Sequence, residues 1–277
     1  MGFGFDYEHL INRVNPAYIV ILVDQSQAMG APLGGETQAS MAETLAAAVN
    51  RVLQELVIKS SKDISVMRLF GVSVIGYGGH AGPALGGELG SKPFVWVDEL
   101  YAHPMRLDQV TKKVSDGAGG IIDIVMNMPI WLDPIARGRA SMSQAFTLAL
   151  LLAEWWVHTY PNAFFPLVLH LCGSVSADGD PAPWAKRIEQ LGTAAGKCVV
   201  ANAYLTPRRT RSAVYTDTDR EINEPWAKRL YWMSSRLPDV LRERAGWFGY
   251  SLTDESRAFA INAGILDLID FLPMDSC

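Results

Sequence analysis

The sequence predicts an α/β fold in which a doubly wound, mostly parallel central sheet is flanked by helices. Two observations carry this prediction: short, continuous apolar segments recur along the chain, and amphipathic helical segments lie between them. A strand that is apolar at every position is buried on both faces, as in parallel sheets that helices cover on both sides. Ligands of such folds collect at the carboxyl ends of the strands.

Five apolar segments are interpreted as buried strands of this sheet. They are YIVILV, FGVSVIGY, FVWV, PLVLHLC and CVVANAYL, at residues 18–23, 70–77, 94–97, 166–172 and 198–205. Each is short enough for a strand, and each is followed by polar or turn-forming residues.

Three segments are predicted to be helices. Residues 40–57 place apolar side chains on one face, and Ser40 with Glu43 has the spacing of a capping box. Residues 141–160 are apolar on more than one side, which predicts a central helix covered by other elements. Residues 182–195 follow a proline-rich loop and are expected to end before Gly196.

The whole chain, residues 1–277, is interpreted as one domain. Its core is expected to span about 16–205, and about 206–277 is expected to be a C-terminal elaboration with a short strand and two helices. No Gly/Ser-rich or Pro-rich linker separates the two parts, so the elaboration should pack on the same sheet. The glycine-dense segment 78–90 is predicted to be a flexible surface loop.

Composition argues against several classes of protein. Lys and Arg total 24 against 29 Asp and Glu, so the net charge of −5 offers no general attraction to nucleic acid. The three cysteines, Cys172, Cys198 and Cys277, have no C-x-x-C spacing and are expected to be reduced. The first residues lack the pattern of a signal peptide, and no apolar segment has the length of a membrane span. The expected location is the cytoplasm, without membrane contact.

Common catalytic motifs do not occur in the sequence. The glycine-rich segment matches neither the P-loop pattern nor G-x-G-x-x-G opening a helix, and no G-x-S-x-G elbow is present. His170 lies within an apolar segment, where a buried imidazole satisfied by a hydrogen bond is favoured over a catalytic base.

Three segments of the sequence contain polar residues at the end of a predicted strand or at the start of a predicted helix. The first is ILVDQSQAMG at Ile21 to Gly30, where Asp24 and Ser26 follow an apolar strand. The others are ARGRASMSQAFTLAL at 136–150 and LVLHLCGSVSADGDP at 167–181. In this order the three resemble the motif loops of a von Willebrand factor A (vWA) domain, which read Asp-x-Ser-x-Ser, Gly-x-Thr-x-Met and Thr-Asp-Gly.

The resemblance implies a metal-ion-dependent adhesion site, at which the three loops hold Mg²⁺ and a carboxylate of a partner protein completes the coordination. Here only Asp24 and Ser26 match outright. Ala28 stands in place of the second serine, Ala140 in place of the threonine, and Gly173 in place of the second aspartate. With so few oxygen ligands, the site is expected to be degenerate.

Ser141 lies next to Ala140, the position at which the family has its threonine, and is therefore counted among the possible ligands. Asp24, Ser26 and Ser141 are the predicted metal ligands, and the expected cofactor is none or a weakly bound Mg²⁺. Ser174, Asp178 and Asp180 lie in the third loop and could supply further oxygens. Alternatively, Asp24 only forms a turn after its strand.

The resemblance implies an intracellular protein-protein interaction module or adaptor without catalysis of its own, working in a multi-protein signalling, ATPase-associated or defence-type system. Similar bacterial proteins work beside AAA+ ATPases of the MoxR type or beside kinase and phosphatase modules. In the family the surface around the motif loops is the docking face, and the residues predicted to bind the partner are Gln25, Gln27, Met29, Arg137 and Arg139.

An enzyme is the alternative. A small metal-dependent α/β phosphohydrolase could use Asp24 as nucleophile or metal ligand. That chemistry needs a second carboxylate or a metal nearby to neutralise phosphate charge. Asp178 or Asp180 would have to fold back towards Asp24 to supply it.

Overall fold

The structure is a computed structural model that describes residues 10–33, 39–115, 120–207, 212–262 and 269–272. The strands are β1 (Ala17–Asp24), β2 (Ser61–Lys62), β3 (Ser65–Val66), β4 (Phe70–Tyr77), β5 (Ala81–Pro83), β6 (Val95–Trp96), β7 (Arg106–Ser115), β8 (Ile121–Ile130), β9 (Leu167–Cys172), β10 (Gly192–Thr193), β11 (Gly196–Lys197), β12 (Val199–Tyr204), β13 (Ala213–Val214) and β14 (Phe259–Ile261). The helices are α1 (Met41–Ser60), α2 (Val97–Ala102), α3 (Met142–Thr159), α4 (Ala182–Gln190), α5 (Pro225–Trp232) and α6 (Asp239–Trp247), with short 3-10 helices at Gln27–Gly30 and Gly87–Leu89.

The central sheet has the strand order β13-β14-β12-β9-β1-β4-β5, and β6 also pairs with β4. The five strands from β14 to β4 are parallel, whereas β13, β5 and β6 pair antiparallel at the edges. Helices cover both faces of the sheet. The predicted α/β fold with a mostly parallel sheet is therefore confirmed.

All five predicted strand segments contribute to this sheet, but in one of them only half of the residues pair. In segment 94–97 only Val95 and Trp96 pair with β4, because α2 begins at Val97. The backbone N–H of Trp96 donates to the Glu99 carboxylate (2.9 Å), which satisfies a donor at the start of that helix.

The strands alternate their side chains between two apolar layers. In β1, Ile19, Ile21 and Val23 face the layer that includes apolar residues of α1, α2 and α6. Tyr18, Val20 and Leu22 face the layer built by α3, α4 and α5. Burial on both faces is the reason that the strand segments are continuously apolar.

The predicted helices form with some changes at their ends. The capping box at α1 is present: the Ser40 N–H donates to Glu43 Oε2 (2.7 Å), and the Glu43 N–H donates to Ser40 Oγ (3.2 Å). Helix α3 is covered less completely than predicted, because Leu151 and Trp155 are exposed. Helix α4 ends at Gln190 rather than before Gly196, because a tight β10-β11 hairpin follows it.

The glycine-dense segment 78–90 is not the irregular loop that was predicted. Residues Ala81–Pro83 form the edge strand β5 against β4, and Gly87–Leu89 form a 3-10 helix. The glycines here permit close backbone approach as well as turns.

The C-terminal residues extend the same sheet. Strand β14 pairs parallel with β12, Asn202 opposite Phe259, and the described residues after 206 form the short strands β13 and β14 and the two helices α5 and α6. Cys172 and Cys198 are buried free thiols. The third cysteine, Cys277, lies outside the described residues, as do residues 263–268 and the rest of 273–277. Within the described part of the chain, no helix is both long and apolar enough to span a membrane.

A two-stranded ribbon that the sequence did not reveal stands apart from the central sheet. Strands β7 and β8 pair over their full lengths, from Arg106 opposite Ile130 to Ser115 opposite Ile121. Its base is fixed by Asn50 of α1, which is buried. Asn50 Nδ2 donates to the Leu132 carbonyl (2.8 Å), and its Oδ1 accepts from the N–H groups of Trp131 (2.8 Å) and Leu132 (3.0 Å).

His170 is buried and joined to other polar groups within the second apolar layer. Tyr77 Oη lies 2.7 Å from His170 Nε2, and His170 Nδ1 lies 2.7 Å from Asn202 Oδ1. Asn202 Nδ2 donates to Ser234 Oγ (2.9 Å), so the proton of the imidazole is on Nδ1 and Nε2 accepts from Tyr77. His170 is thus a satisfied core side chain, as the sequence favoured.

We expect the burial of His170 to make the stability of the protein depend on pH. Burial lowers the pKa of His170 from 6.5 to about 4. Between these two pKa values the unfolded chain binds a proton at His170 that the folded chain does not bind. The free energy of unfolding therefore falls by roughly 2 to 3 kcal/mol as pH drops from about 7 to about 4.5. Urea unfolding at a series of pH values measures this slope.

The matched variants are His170→Gln, which removes the titrating group, and His158→Gln, which changes an exposed histidine. The first should flatten the pH dependence whatever its absolute stability, and the second should leave it unchanged. An unaltered slope in His170→Gln would contradict the assignment.

Candidate functional site

The three motif loops meet at the carboxyl edge of the sheet and are fastened to one another by backbone hydrogen bonds. The Arg137 N–H donates to the Gln25 carbonyl (2.8 Å), and the Gln27 N–H donates to the Gly138 carbonyl (2.9 Å). The Ala177 N–H of the third loop donates to the Ala140 carbonyl (2.9 Å). These contacts bring together the segments that the sequence placed far apart.

Two glycines make this close approach possible. A Cβ on Gly78 would lie 2.4 Å from the Gln25 carbonyl oxygen and 2.6 Å from that of Arg137. Gly138 has a φ of +69°, and a Cβ there would lie 2.7 Å from the Gly78 carbonyl oxygen. The loop after β4 is therefore part of the same platform, which the motif pattern alone did not indicate.

Asp24 ends β1, with 1% of its surface exposed. The Ser26 N–H donates to its Oδ1 (2.9 Å). Its Oδ2 accepts from the Gly173 N–H (3.2 Å) and from the Ser174 hydroxyl (2.5 Å). Ser26 Oγ in turn donates to Ser174 Oγ (3.2 Å). The buried carboxylate is thus satisfied by groups of its own loop and of the third loop.

These groups fit a magnesium ion poorly. Mg²⁺ requires near-octahedral oxygen coordination, and Asp24 is the one carboxylate among the predicted ligands. Ser141 is buried, but its hydroxyl donates to the Arg139 carbonyl (3.3 Å). The Ser174 hydroxyl contacts the oxygen that a metal would need. Across the described residues, no group of three or more His, Cys, Asp and Glu side chains could hold a metal.

The position of the missing second aspartate is filled by methionine side chains. A Cβ on Gly173 would lie 2.7 Å from the sulfur of Met29 and 3.1 Å from that of Met41. A carboxylate could enter here only if those side chains moved. Met29, one of the predicted partner-binding residues, is fully buried and offers no exposed side chain to a partner. Its side chain packs under the face because Gly173 leaves room for it.

The other acidic residues of the third loop do not fold back to Asp24. Asp178 accepts from the backbone N–H groups of Ser143 (2.9 Å) and Gln144 (3.0 Å), and thereby caps the start of α3. Asp180 forms an ion pair with Arg229 of α5. Ser174 is the neighbour that reaches Asp24.

The buried charge of Asp24 affects titratable groups around it. Burial, and after it the negative charge of Asp24, raises the pKa of Tyr77 and of the Cys172 thiol. Both groups are therefore neutral at physiological pH, and a neutral buried thiol is a poor nucleophile. Neither Tyr77 nor Cys172 is therefore activated for nucleophilic attack.

The remaining predicted partner-binding residues differ in exposure. Gln27, Arg137 and Arg139 are exposed, and Arg139 also donates to the Ala177 carbonyl (3.4 Å). Gln25 is half-buried, with its amide oxygen lying over Gly76. Beside it is a pocket of about 290 Å³ whose lining includes Gln25, His80, Met105, Asp133 and Arg137. The exposed surface of the first two motif loops thus carries two arginines, whereas Asp178 and Asp180 are exposed in the third loop.

Comparisons with known proteins give distant structural likenesses. No protein-family model and no curated protein matches the chain. Among solved structures, it is similar to the manganese-loaded TRAP protein of Plasmodium vivax, with 12% sequence identity and a TM-score of 0.40 over 93% of this chain and 72% of that chain. The adhesive tip pilin GBS104 from Group B Streptococcus agalactiae is similar at 14% identity and a TM-score of 0.30, over 58% of this chain and 46% of that chain. Likenesses at these scores carry no argument about function.

We expect magnesium to stabilise the protein little. Because stabilisation follows the ratio of ligand concentration to dissociation constant, about 5 mM MgCl2 should raise the unfolding temperature by less than about 1 °C. Thermal unfolding followed by circular dichroism measures this shift. A clear rise that Asp24→Asn abolishes would show that neighbouring oxygens complete a metal site after all.

Proposed function

We propose that the chain is a vWA-like protein-protein interaction module whose partner docks on the three fastened motif loops without a bridging metal ion. The observation that carries the proposal is the rigid, convergent face itself. Three loops from different elements are joined there by hydrogen bonds, and exposed Gln27, Arg137 and Arg139 lie on it. Binding residues on loops held by a rigid scaffold are the usual arrangement of recognition sites.

The two arginines suit a carboxylate of the partner protein. A guanidinium group forms paired, charge-assisted hydrogen bonds with a carboxylate and needs no ion to bridge them. Asp24, which would hold the metal in the family pattern, already has three hydrogen-bond donors. In the proposed binding mode, the two arginine side chains attract the acidic group of the partner, and no cation is needed.

The broader setting remains part of the proposal. The module would act as a cytoplasmic adaptor in a multi-protein system, with a MoxR-type AAA+ ATPase or kinase and phosphatase modules as partners. Any ATP chemistry would belong to the partner, since the sequence contains no P-loop or kinase motif. The phosphohydrolase alternative gains no support from Asp24, whose oxygens are buried and satisfied, or from Asp178 and Asp180, which bind elsewhere.

Photo-crosslinking from two positions tests the docking face. A photoreactive amino acid at Gln27 should capture a partner in cells. The same residue at Ile64 should not, because Ile64 is fully exposed but lies between α1 and the amino end of β4. Crosslinking from Ile64 alone would place the partner elsewhere and contradict the proposal.

Charge reversal in the Gln27 crosslinking variant tests the arginines. Arg137→Glu with Arg139→Glu should lower the crosslinking yield at least about tenfold, since a lost charged pair costs 1.4 kcal/mol or more. Arg51→Glu with Arg220→Glu makes the same charge change at exposed positions outside the motif loops and should retain the yield. EDTA should have no effect. An EDTA-sensitive yield would restore the metal-dependent mode.

A further inference from the structure

The pocket of about 290 Å³ beside the motif loops has the edge of the central sheet as its floor. Gly76 of β4 lies opposite Gly82 of β5 in the ladder, so both residues present the same face of the sheet. Ala84 shares this face, because a Cβ on Gly76 would lie 3.0 Å from that of Ala84. All three residues line the pocket. The floor therefore carries almost no side-chain atoms of its own, which leaves room for a ligand.

The carboxamide of Gln25 lies over this floor without a hydrogen bond. A Cβ on Gly76 would collide with its Oε1, so the glycine is what admits the amide here. Its Nε2 is buried and has no hydrogen-bond partner among the described residues. A buried N–H group without an acceptor is costly, and such groups are rare in native proteins. A ligand that brings an oxygen atom to this amide would remove that cost.

Arg137 supplies a positive charge next to the amide. The Arg137 N–H donates to the Gln25 carbonyl (2.8 Å), so the two residues are held side by side. The Arg137 side chain is exposed, and no carboxylate pairs with it within the described part of the chain. Asp133 also lines the pocket, but it is paired with Arg106 (2.6 Å). The lining residue His80 adds no negative charge. An anionic group is therefore the complement of this end of the pocket.

The rest of the wall is apolar and includes Pro83, Leu85, Met105 and Ile135. The unbranched side chain of Met105 can adjust to the shape of a ligand, and the glycine at position 86 lets its sulfur pack closely. A hydrated ion such as inorganic phosphate gains nothing from such a wall. A ligand that joins an anionic group to an apolar group buries the apolar part there.

We propose that this pocket binds a carboxylate carried on a short apolar group, either a free organic acid or the C-terminal residue of a polypeptide. The carboxylate accepts hydrogen bonds from the Arg137 guanidinium and the Gln25 amide, and the apolar group lies against the wall. The volume equals that of roughly ten water molecules, so the ligand has about ten non-hydrogen atoms. The proposal does not rest on the docking of a partner protein, because a free acid can fill the site alone.

Saturation-transfer difference NMR with the full chain tests the chemistry of the ligand. The probes are N-acetyl-L-leucine and its uncharged amide, N-acetyl-L-leucinamide. The acid should bind with a Kd of roughly 0.1 to 5 mM, as expected for a ligand of this size. The amide should bind at least ten times more weakly, because it lacks the charge that Arg137 attracts. Equimolar inorganic phosphate should not displace the acid.

Two substitutions with matched controls locate the site. A Cβ at Gly82 meets no atom within 4 Å, so Gly82→Leu points a side chain into the pocket and should abolish binding of N-acetyl-L-leucine. Gly246→Leu adds the same side chain at an open position of α6 and should retain binding. Arg137→Gln should weaken binding at least tenfold, whereas Arg51→Gln, at an exposed position of α1, should not. Circular dichroism shows whether each variant is folded, and the exposed Arg137 keeps the test valid if Gly82→Leu is not.

Crosslinking distinguishes the two sources of the carboxylate. In the Gln27 photo-crosslinking variant, Gly82→Leu should lower the yield if the C-terminal residue of the partner fills the pocket, whereas Gly246→Leu should not. An unchanged yield, together with lost binding of N-acetyl-L-leucine, identifies a free organic acid as the ligand. Both results support the site. The NMR result holds whether or not a partner is captured, so failure of the docking proposal is recognised separately.

Three results would overturn the proposal. The first is the absence of binding of N-acetyl-L-leucine at about 20 mM. The second is equal binding of the acid and its amide, or displacement of the acid by equimolar phosphate. The third is binding that either Gly82→Leu or Arg137→Gln leaves intact in a folded variant.

Discussion

The central sheet is buried on both faces, and this constraint governs where polar chemistry can occur. Strand β1 lies between β9 and β4, with helices packed above and below it. Its side chains are apolar until Asp24, the last residue, because an uncompensated charge within the sheet would be costly. Polar recognition groups are therefore confined to the carboxyl edge, where the loops after β1, β4 and β9 and before α3 meet.

At that edge, hydrogen bonds hold the motif loops together. The Ser174 hydroxyl and the Gly173 N–H link the third loop to Asp24, so the loops are held together without a cation. The departures from the pattern are consistent with one another, because Gly173 leaves the space that Met29 occupies. A Gly173→Asp substitution would therefore place the new side chain against the sulfurs of Met29 and Met41.

Asn50 connects the motif face to the ribbon. Its side chain binds Trp131 and Leu132, which follow β8 directly and lead into the second motif loop. The base of the ribbon and the start of the segment that leads to Arg137 are consequently attached to α1 by the same buried hydrogen bonds. A buried polar network with every member satisfied is rigid, so this junction is fixed.

The sequence by itself determined the five strands, the cap of α1 and the order of the motif loops, because each depends on residues close together along the chain. It could not reveal the ribbon, because the residues of β7 and β8 that share a face are determined only once the two strands are paired in register. It likewise did not indicate that Met29 is buried, because the space for that side chain comes from the glycine at position 173 in a distant loop. The tertiary structure decided these features, since packing and hydrogen bonding join residues that local patterns treat separately.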